Sequence, residues 1–412
     1  MEITIFTYYF PPNSEVGIRR VLYWIDFLLD QGYIINLYTI KHGKIPQPYP
    51  DKPNLRIYIM NWKSISLYSE ENGSKIREVN SNNLLKRIKK RIINPLFGQL
   101  ADPRIFFCLP MLLHLRKIET KAQLTLATSP PYFIIVLAWL YSSKKNLPLI
   151  IDYRDQFSNN PMFSGLFRSV ETRLDKKLIH KAACVVSVSE PIVNYYNNLG
   201  AKRTKCIYNG YDEKIFKAAD SNSNLGKNRL IMTYVGSIVH KSRIPKNFLN
   251  WLETFKHDYE IHLYGDTELL LAYVKENHPQ LQKKFIHNKK LEYSKVPMIL
   301  AKSDVNLVFE EKQPKSSSQF GTIPTKVYEY MAIRRPIICE MSNELEGYKL
   351  LKQSGLLLHN FSEENLSFNL KSIDLQPNKE FILSFSRLRG AEELEAEISF
   401  HIGNYWNPIF RV

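Results

Sequence analysis

Glycine is scarce in this chain, 16 of 412 residues, and no stretch spells the G-x-G-x-x-G fingerprint that a dinucleotide fold carries after its first strand. The first loop holds only Gly17, which argues against a nicotinamide-dependent oxidoreductase. Cysteine is as sparse. Cys108, Cys184, Cys206 and Cys339 stand far apart, without metal-ligand spacing and each in apolar sequence, so buried thiols in a reducing cytosol are expected. No D-x-D carboxylate pair occurs, and no catalytic metal or other cofactor is expected. No apolar run reaches the roughly 20 residues of a membrane span; the longest, Tyr132 to Tyr141, suits a buried helix. MEITIFTYYF enters a strand at once, with no basic region and no small-residue cleavage site, so no signal peptide and a cytoplasmic location are expected. Zinc-finger spacing and the aromatic motif of RNA-recognition domains are missing, which argues against a nucleic-acid partner.

What the chain has is positive charge: 56 Lys and Arg against 40 Asp and Glu, a net +16. That calls for an anionic partner, whether nucleic acid, for which the motifs are missing, anionic lipid or a phosphorylated substrate. At 44% hydrophobic residues the chain is globular, and its length suffices for two domains with full cores. Ile3 to Tyr8 reads as a strand, FPPNSEVGIRR as a loop, VLYWIDFLLDQG as a helix and Ile34 to Ile40 as a strand. This is a βαβ unit, so a parallel sheet follows. Strands are also expected over Leu124 to Thr128, Pro148 to Asp155, Ala182 to Glu190 and Lys205 to Asp212. The polar stretch Lys217 to Asn228 reads as a linker. A second α/β cycle follows, with strands ending at Val235-Gly236, Tyr264 and Phe309. The expected domains are 1–212, joined by a C-terminal helix over 385–412, and 225–384.

Three places carry chemistry. GTIPTKVYEYMAIRRPIIC, Gly321 to Cys339, reads as loop, helix and strand. Pro324 suits the first helical turn, and Arg334 and Arg335 suit the helix end. The free N–H groups of the helix start favour an anion, and Lys326 beside them opposes the dipole unless a phosphate is bound. Glu329 stands one turn further in, placed to accept hydroxyl hydrogen bonds from a ribose; the plainer reading is a Lys–Glu pair on a solvated helix. Asp152, Arg154 and Asp155 close a buried strand as either an ion pair or site lining. In NNLLKRIKKRIINPLFG, Asn82 to Gly98, Leu85, Ile88, Ile92 and Leu96 share one face, and Lys86, Arg87, Lys89, Lys90 and Arg91 fill the rest. Residues 84–96 therefore suit an anionic membrane surface, or else the stripe packs on its own domain.

The run T-S-P-P at Thr128 to Pro131, D-x-R-D at Asp152 to Asp155, the opening Phe-Pro-Pro loop with Gly17, N-G-x-D at Asn209 to Asp212 and the segment around Glu329 occur in the right order. In these the chain resembles the retaining GT-B glycosyltransferases of family 4. The resemblance implies two Rossmann-like α/β domains facing each other across a cleft. It implies transfer of a sugar, with retention, from a nucleotide diphosphate sugar to a lipid-linked or oligosaccharide acceptor, as in bacterial surface polysaccharide synthesis. Gly17, Gly236, Thr325, Lys326 and Glu329 would bind the donor, Glu329 through its ribose. Lys241 and Arg243 are both candidates to grip the diphosphate, with Lys326. Asp155 would position or deprotonate the acceptor hydroxyl, with Arg19, Asp152 and Arg154 on the acceptor side. Two departures stand out. Gly321 occupies the place of a family glutamate, and Arg154 the place where other members carry His.

Overall fold

The computed structural model describes residues 1–12, 16–40, 44–60, 65–67, 108–115, 120–158, 168–217, 229–314, 321–362 and 375–406, and element labels number what lies within them. The basic segment Asn82 to Gly98 and most of the expected linker lie outside. The chain divides into two compact units: Met1–Tyr208 with Gly390–Val412, and Asn209–Lys315 with Gln319–Arg389.

In the first unit the order is β1 (Glu2–Phe6), α1 (Val16–Asp30), β2 (Ile34–Ile40), β3 (Leu55–Met60), β4 (Ile65–Leu67), α2 (Cys108–Leu115), β5 (Leu124–Ser129), α3 (Phe133–Lys145), β6 (Leu149–Tyr153), α4 (Arg168–Lys181), β7 (Cys184–Ser187), α5 (Glu190–Leu199) and β8 (Thr204–Cys206). The sheet runs β4-β3-β2-β1-β5-β6-β7-β8, parallel except for the β3–β4 pair. All of β1 is buried, because it is central and covered on both faces. Ile3 and Ile5 point to the layer holding Trp24, Ile25 and Leu28 of α1, and Phe6 to the opposite layer with Phe133 and Leu137 of α3. Of α3, the turns from Phe133 to Ala138 are buried all round, as their unbroken apolar sequence requires. The first strand is shorter than expected, and the strand at Lys205 shrinks to β8. Cys206 is only half-buried, unlike the expectation for all four thiols, whereas Cys184 and Cys339 are buried. Burial lifts the Cys184 thiol pKa to about 12 and that of Cys339 well above its ordinary value.

The second unit contains β9 (Arg229–Val235), α6 (Lys246–Thr254), β10 (Asp258–Tyr264), α7 (Glu268–Asn277), β11 (Phe285–Asn288), α8 (Val296–Lys302), β12 (Val305–Phe309), α9 (Thr325–Ile333), β13 (Ile337–Glu340), α10 (Glu346–Gln353), β14 (Leu357–Asn360) and α11 (Lys379–Leu383). Its sheet, β11-β10-β9-β12-β13-β14, is parallel throughout. The last helix, α12 (Arg387–Trp406), places Ala391, Leu394, Ile398 and Ile402 in the first unit's core, at helical spacing on one face. The Asn209-Gly210 turn packs in the second unit: Tyr211 bridges to Ser386, and Gly210, at φ 60, lets the Phe385 carbonyl approach where a Cβ would stand 2.5 Å from it.

Each sheet has one point where strand order reverses, between β1 and β5 in the first and between β9 and β12 in the second. Loops leaving the carboxyl ends of such strand pairs part in opposite directions and leave a crevice, where open α/β sheets bind their ligands.

Candidate functional site

At the β9/β12 reversal in the second unit, Gly236 ends β9 at φ 141 and Gly265 ends β10 at φ 114. A Cβ on Gly265 would stand 2.5 Å from the Gly236 carbonyl, and one on Gly236 would stand 3.1 Å from Lys326 Nζ. Side chains at either position would therefore fill the space that the two loops and Lys326 share. The chain after Gly236 turns through a short 3-10 helix, Lys241–Arg243. Arg243 Nη2 meets Glu310 Oε2 at 3.1 Å, and Lys326 Nζ lies 3.7 Å from Glu310 Oε1. Nζ also donates to Tyr234 Oη at 2.8 Å, and that hydroxyl donates to the Ser237 carbonyl at 3.2 Å. Burial pulls the Lys326 pKa down, but Tyr234 and Glu310 more than offset this and leave it raised, so the ammonium is charged. Of the two cations left open by sequence, Arg243 enters this cluster, while Lys241 is exposed.

Helix α9 begins at Thr325 beside Lys326. Pro324 is its N-cap rather than its first helical residue and brings no side-chain cap, and among the described residues no other side chain caps the Thr325 or Lys326 N–H. The residues Val327–Ile333 are all buried, Glu329 included, so the solvated-helix reading does not hold. Glu329 Oε1 accepts from Tyr293 Oη at 3.0 Å. The helix ends at Arg334, whose left-handed φ of 61 brings its N–H back to the Tyr330 and Met331 carbonyls. The start of α6 is filled differently. The buried Glu340 carboxylate, at the end of β13, accepts from the N–H groups of Asn247 and Phe248 at 3.3 and 2.8 Å and pairs with Lys312. A carboxylate of the protein thus occupies the α6 terminus, whereas among the described residues none reaches the start of α9.

The first unit brings together a second set. Gly17 stands where a Cβ would meet Arg154 Nη1 at 1.6 Å, so the loop glycine makes room for that guanidinium. Arg154 is otherwise fixed by donating to the Ser129 and Pro130 carbonyls at 2.9 and 3.2 Å. Asp155 next to it is exposed, yet crowding by protein raises its carboxyl pKa, opposed by Arg154. Asp152 is corrected as an acceptor-facing residue. Its side chain is fully buried, with one oxygen 3.1 Å from Arg20 and the other accepting from Thr128 at 2.8 Å. It holds Arg20, which donates to the Ile207 and Tyr208 carbonyls and lies 4.1 Å from the Trp24 ring centre. Arg19, the basic residue singled out by sequence, is half-buried beside it; Arg20 is the one built into the fold.

Sequence reasoning missed Tyr234, Tyr293, Glu310 and Arg20 as parts of these sites. Only Glu310 left a signal, a charge directly after a buried strand. Among the described residues one trio has metal-ligating atoms together, Cys184, Glu397 and His401, within 4.8 Å of one another. Arg203 holds both Glu397 oxygens at 2.7 and 2.8 Å, so a cation there would meet a guanidinium already in place.

No protein-family model matches this chain, and no curated protein matches its sequence. Solved structures do match in fold. Sucrose-phosphate synthase from Thermosynechococcus elongatus is 12% identical, with a TM-score of 0.62 over 96% of this chain and 97% of that one. Anabaena HepE, solved with UDP and glucose, is 14% identical, with a TM-score of 0.57 over 97% and 99%. A glycosyltransferase from Rickettsia africae is 11% identical, with a TM-score of 0.62 over 97% and 98%. What the chain shares with these proteins, end to end, is their fold: two parallel-sheet α/β units of the GT-B kind.

Proposed function

We propose that this protein is a retaining GT-B glycosyltransferase that moves a sugar from a nucleotide diphosphate sugar to a glycan or lipid-linked acceptor. The observation that carries the reading is the cluster at the β9/β12 reversal. Two cations, a glycine-lined loop and an uncapped helix start converge there, with a buried carboxylate one turn along the same helix. These are the groups that a diphosphate and a ribose require. The neighbours support it: HepE is solved with UDP-glucose, and a lipopolysaccharide outer core galactosyltransferase shares the fold. In the reaction the bond from the sugar's anomeric carbon to the diphosphate oxygen breaks and that oxygen keeps the electron pair. Lys326, Arg243 and the N–H groups of α9 stabilise the charge that develops. The acceptor hydroxyl attacks the anomeric carbon and loses its proton. Asp155 positions this hydroxyl or takes the proton, for which a raised carboxyl pKa is suited. Thr325 and Gly236 line the diphosphate, Lys241 flanks it, and Glu329 accepts from the ribose. Gly17 opens the loop on the donor side, and Arg19 and Arg154 face the acceptor side.

The reading also places the enzyme in bacterial surface polysaccharide synthesis at the inner face of the cell membrane, with residues 84–96 on anionic lipid. Among the described residues no helix is long and apolar enough to cross a membrane. Thermal-shift and calorimetric titration with UDP, GDP, ADP and NAD tests the core of the proposal. Binding of one nucleoside diphosphate and none of NAD is expected; binding of NAD alone would overturn it. Transfer is expected to persist in excess EDTA, because cationic side chains and a helix terminus do the work of a metal.

A further inference from the structure

The two cations at the β9/β12 reversal already share an anion. Glu310 stands directly after β12, its side chain only 5% exposed, with Arg243 on one oxygen at 3.1 Å and Lys326 near the other at 3.7 Å. A phosphate-binding pair needs no such carboxylate, and a buried ion pair is a poor device for stability alone. We propose that Glu310 sets the charge of this site so that it does not retain its own nucleoside diphosphate product. The inference rests on the transfer reaction proposed above.

Arg243 and Lys326 supply two positive charges, and Glu310 reduces them to one. A nucleotide diphosphate sugar carries one ionised oxygen on each phosphorus. When the bond to the anomeric carbon breaks, the bridging oxygen stays on the outer phosphorus. The acceptor's proton leaves to a base or to water. The product therefore gains a terminal phosphate with a second pKa near 6, and above that pH it holds about one more negative charge than the donor. Beside two uncompensated cations that charge would fasten the product. Beside a pair already shared with Glu310 that charge is still stabilised as it forms, but it is held less tightly than two uncompensated cations would hold it, with a carboxylate close by. Two anions sharing one cation stand about 6–7 Å apart, where one unit of repulsion at an effective dielectric near 20 amounts to roughly fifty- to a hundredfold in affinity, an upper figure for a site that water enters. The donor carries no such extra charge and is penalised less. Glu310 is thus a specificity-determining residue whose work falls after transfer.

The test is calorimetry on the full chain. The ligands are whichever of UDP, GDP and ADP binds the wild type most tightly, and its glucose ester. Glu310→Gln is expected to tighten the diphosphate about tenfold and the sugar ester less than about threefold. Glu310→Asp, which keeps the charge, should hold the wild-type ratio. Raising the pH from about 5 to about 8 ionises the product's outer phosphate. Across that range the Gln variant should gain affinity for the diphosphate while the wild type gains little. A residue that merely props the two cations would move neither the ratio nor the pH profile. An unchanged ratio in Glu310→Gln, or loss of affinity for both ligands, overturns the inference and leaves the transferase reading standing. If that variant does not fold, a wild-type affinity for the diphosphate that climbs about tenfold with pH overturns it instead. A wild type that binds none of the three diphosphates nor their esters takes both readings down.

Discussion

Glu329 is a carboxylate on a helix whose other residues from Val327 to Ile333 are buried and uncharged, and Tyr293 donates to it at 3.0 Å. A charge kept in such surroundings costs stability unless a ligand or a partner uses it. Glu329→Ala should weaken nucleoside diphosphate binding by roughly ten- to a hundredfold, the 1.5–3 kcal/mol of a hydrogen bond to a charged group, with little change in fold. Tyr293→Phe should change it far less; unaltered affinity in both, by calorimetry, would remove the ribose role. Asp175 is a second buried carboxylate, used for structure. It accepts from the Ser158 N–H and hydroxyl and from Tyr153 Oη, but burial outweighs these bonds and raises its pKa from 3.8 to about 6. Between those values the folded chain holds a proton that the unfolded chain has released. Its contribution is therefore full below about pH 4 and falls as pH rises through 6, by about 3 kcal/mol at most. Asp175→Asn should flatten that part of the stability profile, read as the difference in melting temperature between acid and neutral pH. Lys326 and Glu329 were legible in sequence because one short run sets a cation at a helix start and an acid one turn later. Glu310 was legible only as a charge after a strand, since its partner Arg243 comes from a distant loop that only the β9–β12 pairing brings near.

Helices and strands read well where one physical signal dominates. The βαβ opening, β12 and the apolar helix α3 follow from periodicity or from an unbroken apolar run. What sequence could not supply was the state of each helix start. The α6 and α9 termini look alike as loop-to-helix junctions, yet Glu340 fills one from a strand far along the chain. That carboxylate is nearly inaccessible and also pairs with Lys312. Glu340→Ala would leave two N–H groups and an ammonium without their acceptor, a cost of about 3 kcal/mol or more. The second unit should then melt roughly 6–12 °C lower by calorimetry. Nucleotide affinity should change little at a temperature where the variant is folded. A large loss of affinity would mean that the α6 terminus takes part in binding after all.

For the whole molecule, the order of secondary structure was enough to call for two parallel-sheet units. The boundary was not, because Asn209 to Asp212 read as the end of a strand and instead join Ser386 and Arg387 of the second unit. Net charge acts at this scale too. On the proposed membrane attachment, changing Lys86, Arg87, Lys89, Lys90 and Arg91 to Gln should remove about 5 kcal/mol at most of attraction to an anionic bilayer. The variant should float free of acidic vesicles while transfer to a soluble acceptor continues. The wild type should dissociate as salt rises, since screening acts within about 8 Å at physiological ionic strength. Vesicle binding indifferent to all five changes would rule out this attachment. The return of the chain at Gly390 has its own consequence, which concerns time. Leu394, Ile398 and Ile402 fill a core whose other walls, Ile3, Ile5 and Leu124 among them, leave the ribosome first. At about 5–20 residues per second, the early unit waits roughly 10–40 s for the helix that covers that face. For that interval the sheet face that Leu394, Ile398 and Ile402 cover lacks them, and a chain stopped before Gly390 is expected to keep that apolar face open and to aggregate, which light scattering of the truncated chain would read.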